Sequence, residues 1–495
     1  MNAPSTPPPS TPAPRSPARR SSTGRSNTGR SNTTWRRTAA AVLAASVGAA
    51  GIVVWRNGAA ESTAPAPAQR QDASATSAPT TTAVYRASDA TTLAWPARPA
   101  TTSTTGLPAA TVPELTTTAS TIPVINPRAF GAVGDGATDD TAALQAAFDA
   151  APPGARIELP SGVYVQSELL YLRGVGVTLT GPPDAEIRAV RADRQAIVIQ
   201  GNGNAIERIK LSSTATERRV ALEDHRILLD EGSVGTRVEQ VHVDGGSAAG
   251  ILAHGASDYV IRGNLVENTK ADGIHNTYGS TRGLVEHNVV RNSGDDCYAV
   301  VSYRRDDALT TDVIIQDNVC EDSHARGISV VGGQDVAIAR NTVTLTRAAG
   351  IYLASEDSFD TYGTQRIRVI DNTITNANHD PALQHAAIFM YARAGTAAAA
   401  SGEVALQVQD VLVDNNRIID TINTHGHVAL NNGFVDRIVI ERTTINASDE
   451  QTPPLYTASD VGSYVFTGTV YNGELLEDET VDELLAAEVR TTTSG

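Results

Sequence analysis

The sequence predicts an all-β protein built as a single-stranded parallel β-helix, and a repeated phrase is the first observation behind this. A segment rich in Val and Ile, an Asn and a second short apolar segment recur along the chain. The spacings between the successive Asn residues are 24, 30, 23, 31 and 44 residues. Steps of this size with variable insertions are typical of a solenoid with one coil per repeat. The recurring residues are Asn264, Asn288, Asn318, Asn341, Asn372 and Asn416.

The residue types inside the phrase are the second observation. Val and Ile alternate with polar residues around Ile315 and Val413, and Gly and Asn interrupt the runs. These features favour strands over the helix pairs of an α-helical repeat array. The recurring Asn is expected to form an internal ladder, in which each amide bonds to the next coil.

The amino-terminal residues 1–37 form a basic tail that we expect to be disordered, and an apolar segment follows at 38–56. Residues 1–60 contain eight Arg and no acidic residue, while Thr38–Trp55 is an uncharged run of 18 residues. Such a run is just long enough to cross a bilayer, and arginines before it follow the positive-inside pattern. The segment is predicted to be a signal peptide or a single-pass anchor. The chain is therefore expected to be exported, and to contact the membrane through residues 38–55 if they are not cleaved.

A linker and an acidic body follow the apolar segment. Residues 57–122 are dominated by Ala, Pro, Ser and Thr, which predicts an extended spacer. The overall formal charge is −16, so removing the eight amino-terminal arginines leaves about −24 on the rest. An acidic body repels phosphate backbones, and we therefore expect no nucleic-acid partner.

The β-helix domain is predicted at residues 123–470 and begins with a helix at about 140–150. Leu144 and Phe148 share one face of this helix, and Pro152 follows it. We expect the helix to cap the first coil, with Asp139 or Thr138 at its start.

The stretch AFGAVGDGATDDTAALQAAFDAAPPGARIELPSGVYV at residues 129–165 resembles the amino-terminal signature of the pectin-lyase-like superfamily. That superfamily includes polygalacturonases, related glycanases and phage tailspikes. The resemblance implies a right-handed parallel β-helix, and it implies that Asp135, Asp139 and Asp140 are architectural residues.

Aligning the coils on their Asn brings acidic residues together. Asp272 and Asp296 each lie eight positions after an Asn, and Arg326 occupies the same position one coil later. Successive coils are about 4.8 Å apart, so these side chains are predicted to stack, with Asp295 beside them. Carboxylates this close should include at least one with a raised pKa, as glycoside hydrolysis requires. The alternative is that Gly294-Asp295-Asp296 is simply a turn. Both adjacent carboxylates can face one cleft only if the chain bends at Gly294.

The same residues resemble the site of polygalacturonases and of mutanase-type α-1,3-glucanases, which share this fold. The motifs are ADGIH at 271–275, DDC at 295–297 and CEDSH at 320–324. The resemblance implies an inverting hydrolase in which Asp295 is the general acid and Asp272 and Asp296 activate water. It further implies that His324 holds the protonation states, and that Cys297 and Cys320 form a disulfide.

Five further residues are candidates for substrate binding. Arg366 and Arg368 are suggested by the resemblance to an Arg-Ile-Lys motif, although an ordinary strand would have the same sequence. The other three lie close to the acidic residues. The five residues are Arg366, Arg368, Lys270, His275 and Arg326.

The predicted function is hydrolysis of a polysaccharide, with no cofactor required. A polysaccharide lyase or epimerase on the same fold is the first alternative, and Ca²⁺ is expected only in that case. The second is a non-catalytic glycan-binding β-helix. The chain is expected to be a monomer, or a trimer if it resembles tailspikes. Residues 471–495 are assigned to a carboxy-terminal helix and tail, with an acidic amphipathic helix at 474–490.

Overall fold

The computed structural model describes residues 122–380, 382–392, 406–421, 425–431, 434–449, 451–480 and 485–493. The predicted basic tail, apolar segment and linker therefore lie outside the described residues. Within the described ranges, no helix has both the length and the apolar character needed to cross a membrane.

Three sheets wind along the described chain as a parallel β-solenoid of about 12 turns, and a typical coil gives one strand to each sheet in the order A, B, C. Sheet A contains β1 (Val124–Ile125), β3 (Arg156–Glu158), β6 (Thr178–Thr180), β9 (Ala205–Glu207), β12 (Arg237–Glu239), β15 (Val260–Arg262), β18 (Thr281–Glu286), β21 (Thr311–Gln316), β24 (Gln334–Ala339), β27 (Thr364–Ile370), β30 (Val408–Asp414), β33 (Val435–Glu441), β36 (Tyr464–Thr467) and β39 (Glu479–Thr480). Sheet B contains β2 (Asp135–Asp139), β4 (Gly162–Gln166), β7 (Ala185–Ala189), β10 (Lys210–Ser213), β13 (His242–Gly246), β16 (Leu265–Thr269), β19 (Val289–Arg291), β22 (Val319–Ser323), β25 (Thr342–Thr346), β28 (Thr373–Thr375), β31 (Arg417–Ile419), β34 (Thr444–Asn446), β37 (Val470–Tyr471) and β38 (Glu474–Leu475). Sheet C contains β5 (Leu170–Leu172), β8 (Ile197–Ile199), β11 (Ile227–Leu229), β14 (Ile251–His254), β17 (Ile274–Thr277), β20 (Tyr298–Val301), β23 (Ile328–Val331), β26 (Ile351–Ser355), β29 (Ile388–Ala392), β32 (Val428–Asn431) and β35 (Leu455–Thr457).

Helices in the described residues are few and short. Two are α-helical, α1 at Thr141–Asp149 and α2 at Leu485–Thr493. Four are 3₁₀ helices, at Pro127–Phe130, Leu222–Asp224, Arg304–Asp306 and Asp357–Phe359.

The interior is filled by inward-facing residues that stack coil upon coil. In sheet C, for example, Ile251, Ile274, Tyr298, Ile328 and Ile351 pair in one register and are buried. Small and β-branched side chains repeat at equivalent positions, so each coil covers the apolar face of its neighbours. The predicted β-helix is confirmed.

The Asn ladder is also confirmed. From Asn288 to Asn416, the Oδ1 of each Asn accepts the backbone N–H and one Nδ2–H of the Asn one coil earlier, at 2.8–3.0 Å. The ladder lies at the corner between sheets A and B and is buried. Every rung therefore satisfies polar groups that no water reaches.

The helix predicted near residues 140–150 is present as α1. Its Leu144 and Phe148 are buried in the main core cluster, and Asp139 Oδ1 accepts a hydrogen bond from the N–H of Thr141, its first residue, at 3.0 Å. Asp140 instead ties the preceding loop, since its carboxylate accepts from the N–H of Val133 at 2.6 Å. The capping role of α1 stays a prediction.

The helix predicted over residues 474–490 is wrong in its first half. β38 and β39 occupy that part and pair antiparallel with β37 and β36. Asn472 and Gly473 have φ angles of 49° and 86° and connect β37 to β38, as an Asn-Gly hairpin turn favours. The helix α2 begins only at Leu485. Its Val489 packs against Leu412, Val439 and Val465, on the flank of sheet A.

Candidate active site

The predicted column of side chains lies at the corner between sheets B and C. The pairing of Ile274 with Tyr298 and of Tyr298 with Ile328 places Asp272, Asp296 and Arg326 at equivalent positions of three successive coils. The backbone N–H of Asp296 donates to Asp272 Oδ1 at 3.0 Å, and that of Arg326 donates to Asp296 Oδ1 at 2.9 Å. The predicted stacking is therefore confirmed.

The chain does bend before the two adjacent aspartates. Gly294 lies against the backbone of Lys270, where an added Cβ would come within 2.5 Å of the Lys270 carbonyl oxygen. The Asp295 carbonyl accepts hydrogen bonds from the hydroxyls of Ser293 and Ser323, both at 2.8 Å. Glycine permits the close approach at this corner, and the two serines hold the turn.

The bend brings three carboxylates together. One oxygen each of Asp272, Asp295 and Asp296 lies within 4.8 Å of the others. The Asp295 side chain keeps 23% of its exposure, against 12% for Asp272 and 7% for Asp296. The cluster is thus partly buried, with Asp295 as the member most accessible from solvent.

Burial and nearby charges give Asp272 and Asp296 different pKa values. Burial raises the pKa of Asp296 to about 7, and the charges of Asp295 and Asp272 add to this against the opposing effect of Arg326. Burial also acts on Asp272, but His275, Arg218 and the N–H of Asp296 together bring its pKa below the ordinary value. Because these groups titrate together, the cluster as a whole retains a proton near neutral pH.

Arg326 connects the aspartates to the next coil. Its guanidinium lies 3.6 Å from Asp295, 3.4 Å from Asp296 and 3.0 Å from Glu356. It also stacks over the ring of Tyr352, at 4.7 Å from the centroid. Burial lowers the pKa of Arg326, but Asp296 and Glu356 outweigh it, so the pKa lies above its ordinary value. Arg326 is therefore a permanent cation at the centre of the site.

A second cation comes from a loop that the sequence reasoning missed. Arg218 follows β10 in an insertion before β11, and its Nη2 lies 2.6 Å from Asp295 Oδ2. These two residues are 77 positions apart in sequence. The only indication in the sequence was that this coil carries an insertion between its strand in sheet B and its strand in sheet C.

The two candidate histidines occupy different places. His275 Nδ1 lies 2.5 Å from Asp272 Oδ2. His324 is exposed, and its Nδ1 lies 2.8 Å from the carbonyl oxygen of Ser293. The imidazole in contact with the aspartates is thus His275, whereas the resemblance points to His324. The role assigned to His324 stays a prediction.

The other candidates for substrate binding lie at different distances from the cluster. Lys270 is half-buried and precedes the corner that carries Asp272. Arg366 and Arg368 are in β27 of sheet A, and not at the corner between sheets B and C. Arg366 forms an ion pair with Asp335, with both contacts at 2.6 Å. The position of these two arginines gives their assignment no support.

The predicted disulfide is present. Cys297 and Cys320 are joined across neighbouring coils, with Cα atoms 5.8 Å apart. Cys297 directly follows Asp296, so the bond ties the corner bearing the aspartates to β22.

Two clusters of side chains in the described residues have potential metal ligands close to one another. One is the aspartate cluster, where Arg218 and Arg326 supply positive charge. The other consists of His242, Asp244 and Glu267 on sheet B, where Lys210 lies 3.0 Å from Asp244. In both clusters a cation of the protein forms an ion pair with a carboxylate.

Comparison with known proteins agrees with this architecture. An exo-poly-α-D-galacturonosidase of Dickeya chrysanthemi is 41% identical over 78 residues, which is 14% of this chain and only 13% of that enzyme. The solved exopolygalacturonase of Thermotoga maritima has a TM-score of 0.54 at 15% identity, covering 73% of this chain and 95% of that one. The catalytic unit of an α-1,3-glucanase of Streptomyces thermodiastaticus has a TM-score of 0.52 at 19% identity, covering 72% and 70%. At such identities the structures show a shared fold.

The family profile goes further than the individual structures. The profile described as rhamnogalacturonase A/epimerase, pectate lyase-like matches residues 124–379. This range is just over half of the 495-residue chain and contains Asp272, Asp295, Asp296 and Arg326. The predicted membership in the pectin-lyase-like group is confirmed, and the chain belongs to the rhamnogalacturonase A/epimerase, pectate lyase-like family.

Proposed function

We propose that this chain is an exported glycoside hydrolase that cleaves a polysaccharide at the aspartate cluster. The observation that carries the proposal is the convergence of three carboxylates within 4.8 Å, one of them with its pKa raised to about 7. Glycoside hydrolysis needs one carboxyl group that donates a proton and one carboxylate that activates water or attacks the sugar. The names of the galacturonosidase and glucanase relatives support a glycan substrate.

In this proposal the pair Asp295 and Asp296 holds the proton and Asp272 accepts one. Asp295 is the most exposed member, so the glycosidic oxygen reaches it first. The raised pKa of Asp296 keeps a proton on the pair at neutral pH. Asp272 is kept ionised by its neighbours and takes the proton of the attacking water.

The stereochemistry is a separate part of the proposal. Inverting enzymes usually hold their two carboxyl groups about 6.5–9.5 Å apart, and retaining enzymes about 5–5.5 Å. The 4.8 Å limit is measured between single oxygens and not between the carboxyl groups, so it selects neither outcome. The proposal follows the resemblance and takes inversion by direct attack of water. Proton NMR of the first sugar released distinguishes the two, because the anomer produced either keeps or reverses the configuration of the bond.

A lyase or epimerase is less well supported by the geometry. Such an enzyme abstracts the proton beside a uronate carboxylate and needs an unprotonated base, for which Arg326 is the candidate beside the aspartates. Arg326 is surrounded by Asp295, Asp296 and Glu356 and has a raised pKa, so it stays protonated. We propose that the two arginines, and not Ca²⁺, balance the charge of the cluster. A chelator should then leave turnover unchanged.

The test is to incubate the full-length chain with α-glucans, β-glucans and pectic polymers and to follow new reducing ends. Asp295→Asn and Asp296→Asn should each lower turnover about 10²–10⁴-fold while the melting curve shows a folded protein. Asp322→Asn is the matched control, since Asp322 is exposed on a neighbouring coil. Unchanged turnover in both active-site variants would contradict the proposal. Products with a new double bond would indicate a lyase, and tight binding of a glycan without cleavage would indicate a binding protein.

A further inference from the structure

The pair formed by Asp272 and His275 is the feature that carries a further inference. The two residues flank Gly273 and Ile274 at the start of β17, and His275 Nδ1 lies 2.5 Å from Asp272 Oδ2. Ile274 faces the core, so the adjacent His275 lies on the opposite face of β17, where it meets Asp272. An ionised carboxylate oxygen only accepts, so Nδ1 is the donor of this hydrogen bond.

Both oxygens of Asp272 are thereby fixed. Oδ1 accepts the backbone N–H of Asp296, and Oδ2 accepts from His275. The imidazole is itself held, because the His275 side chain is only 13% exposed. Its Nε2 is buried without a hydrogen-bond partner among the described residues. A buried polar atom left in this way is uncommon, and it lies here beside the candidate reaction centre.

The other titratable groups around this pair come from three segments. His225, which precedes β11, interacts with both His275 and Asp272, and burial lowers its pKa to about 3, so it remains neutral. The positive charge of Arg218, in the loop after β10, lowers the pKa of Asp272. Tyr303, which follows β20, feels the charges of Asp272 and Asp295, and burial above all raises its pKa to about 12. Among the described side chains around Asp272, the one that hydrogen-bonds to its carboxylate is His275.

We propose that His275, and not His324, is the positioning residue for the candidate base Asp272, and that it orients this carboxylate toward the attacking water. The inference rests on the proposed function for its chemistry. In the hydrolytic step the water oxygen bonds to the anomeric carbon and its proton passes to Asp272. The bond from that carbon to the glycosidic oxygen breaks, and the leaving oxygen takes the proton held by the Asp295 and Asp296 pair.

The first readout does not depend on activity. Full-length chain labelled with ¹³C at the aspartate carboxyl carbons is titrated by NMR, and the Asp272 signal is identified by its loss in Asp272→Asn. In His275→Phe the midpoint of this signal should rise by about 1–3 pH units, because the carboxylate loses its donor. His275→Asn, whose amide N–H can replace Nδ1–H, should give a smaller rise. His324→Phe is the control and should leave the midpoint unchanged.

The second readout is the rate of reducing-end release against pH. The acid limb for His275→Phe should move upward with the Asp272 midpoint, and His324→Phe should show the wild-type profile. An unchanged Asp272 midpoint in His275→Phe, or an equal shift in His324→Phe, overturns the inference. If His275→Phe does not fold, the same comparison is made with His275→Asn. A shifted midpoint in a chain that cleaves none of the polymers would contradict the proposed function while leaving the pairing of His275 with Asp272 established.

Discussion

Two corners of the same coils contrast sharply. At the corner between sheets A and B, Asn264 to Asn416 repeat one residue, and each amide bonds to the next at 2.8–3.0 Å. At the corner between sheets B and C, the equivalent position changes from Ala249 to Asp272, Asp296, Arg326 and Ala349. The first corner thus repeats a neutral amide from coil to coil, whereas the second places charged residues on three successive coils.

The difference separates stability from chemistry. A repeated Asn satisfies its own donors and acceptors, so it stabilises every coil without an ion. The aspartates bury carboxylates against one another, which raises a pKa and costs stability. The comparison predicts that substitutions at the first corner change stability alone, whereas those at the second also change turnover or its pH dependence.

The largest effect is expected from Arg326→Met. This change leaves Asp295, Asp296 and Glu356 without the cation that contacts all three. Removing one partner of a buried charge network costs about 3–5 kcal/mol, and turnover should fall with it. Urea unfolding and reducing-end release measure both. Arg340→Met is the control, because its ion pair with Asp317 lies at the corner between sheets A and B with the two side chains 30% and 28% exposed, and its loss should cost about 1 kcal/mol or less.

Asn318→Ala should come next. It removes the acceptor of the backbone N–H and of one Nδ2–H of Asn288, and it removes one donor to the carbonyl oxygen of Val285. The expected loss is about 3 kcal/mol in the free energy of unfolding, with turnover per folded molecule unchanged. Thr342→Ala, at an exposed position of the adjacent coil, should lie within about 0.5 kcal/mol of wild type. A loss of turnover without a loss of stability would break the comparison.

Asp296→Asn should change how stability depends on pH. Asp296 has a pKa of about 7 when folded, against 3.8 for the free side chain. Between these values the folded chain keeps a proton that the unfolded chain releases, so stability falls as pH rises and the loss is complete above about pH 7. The variant lacks this dependence. It should match wild type near pH 4 and exceed it by on the order of 2 kcal/mol near pH 8, as followed by thermal melting. Equal curves at both pH values would contradict the raised pKa.

The smallest effect is expected from Arg218→Gln. Removing the guanidinium from Asp295 takes a positive charge from the cluster, so the cluster holds its proton to higher pH. The basic limb of the pH–rate profile should move upward by about 1 pH unit. Arg219→Gln is the matched control, since the adjacent Arg219 binds Asp224 at 3.0 Å and not the active-site aspartates. A basic limb that moves equally in both variants would argue against a specific contact.

Much of the fold was predictable from local sequence. The Asn spacing predicted the coils, and counting eight positions from each Asn predicted the stack of Asp272, Asp296 and Arg326. The resemblance supplied the pairing of Cys297 with Cys320, which is present. The start of the carboxy-terminal helix was predicted too early, because an acidic, Leu-rich segment is also compatible with short strands. The Asn472-Gly473 turn favours a hairpin at this point.

The sequence by itself determined the coil and the alignment of residues between coils. The reason is that each coil of a solenoid repeats the backbone of the coil before it, so residues at the same position of successive coils stack on one another. Only the tertiary structure decided which side chains meet at the site. Arg218 reaches Asp295 across 77 residues through an insertion, and Glu356 reaches Arg326 from another coil. His275 and His324 are both near the aspartates in sequence, yet only the first contacts one. Such contacts depend on how loops fold back over the corner and on which face each side chain occupies, and neither follows from the repeat.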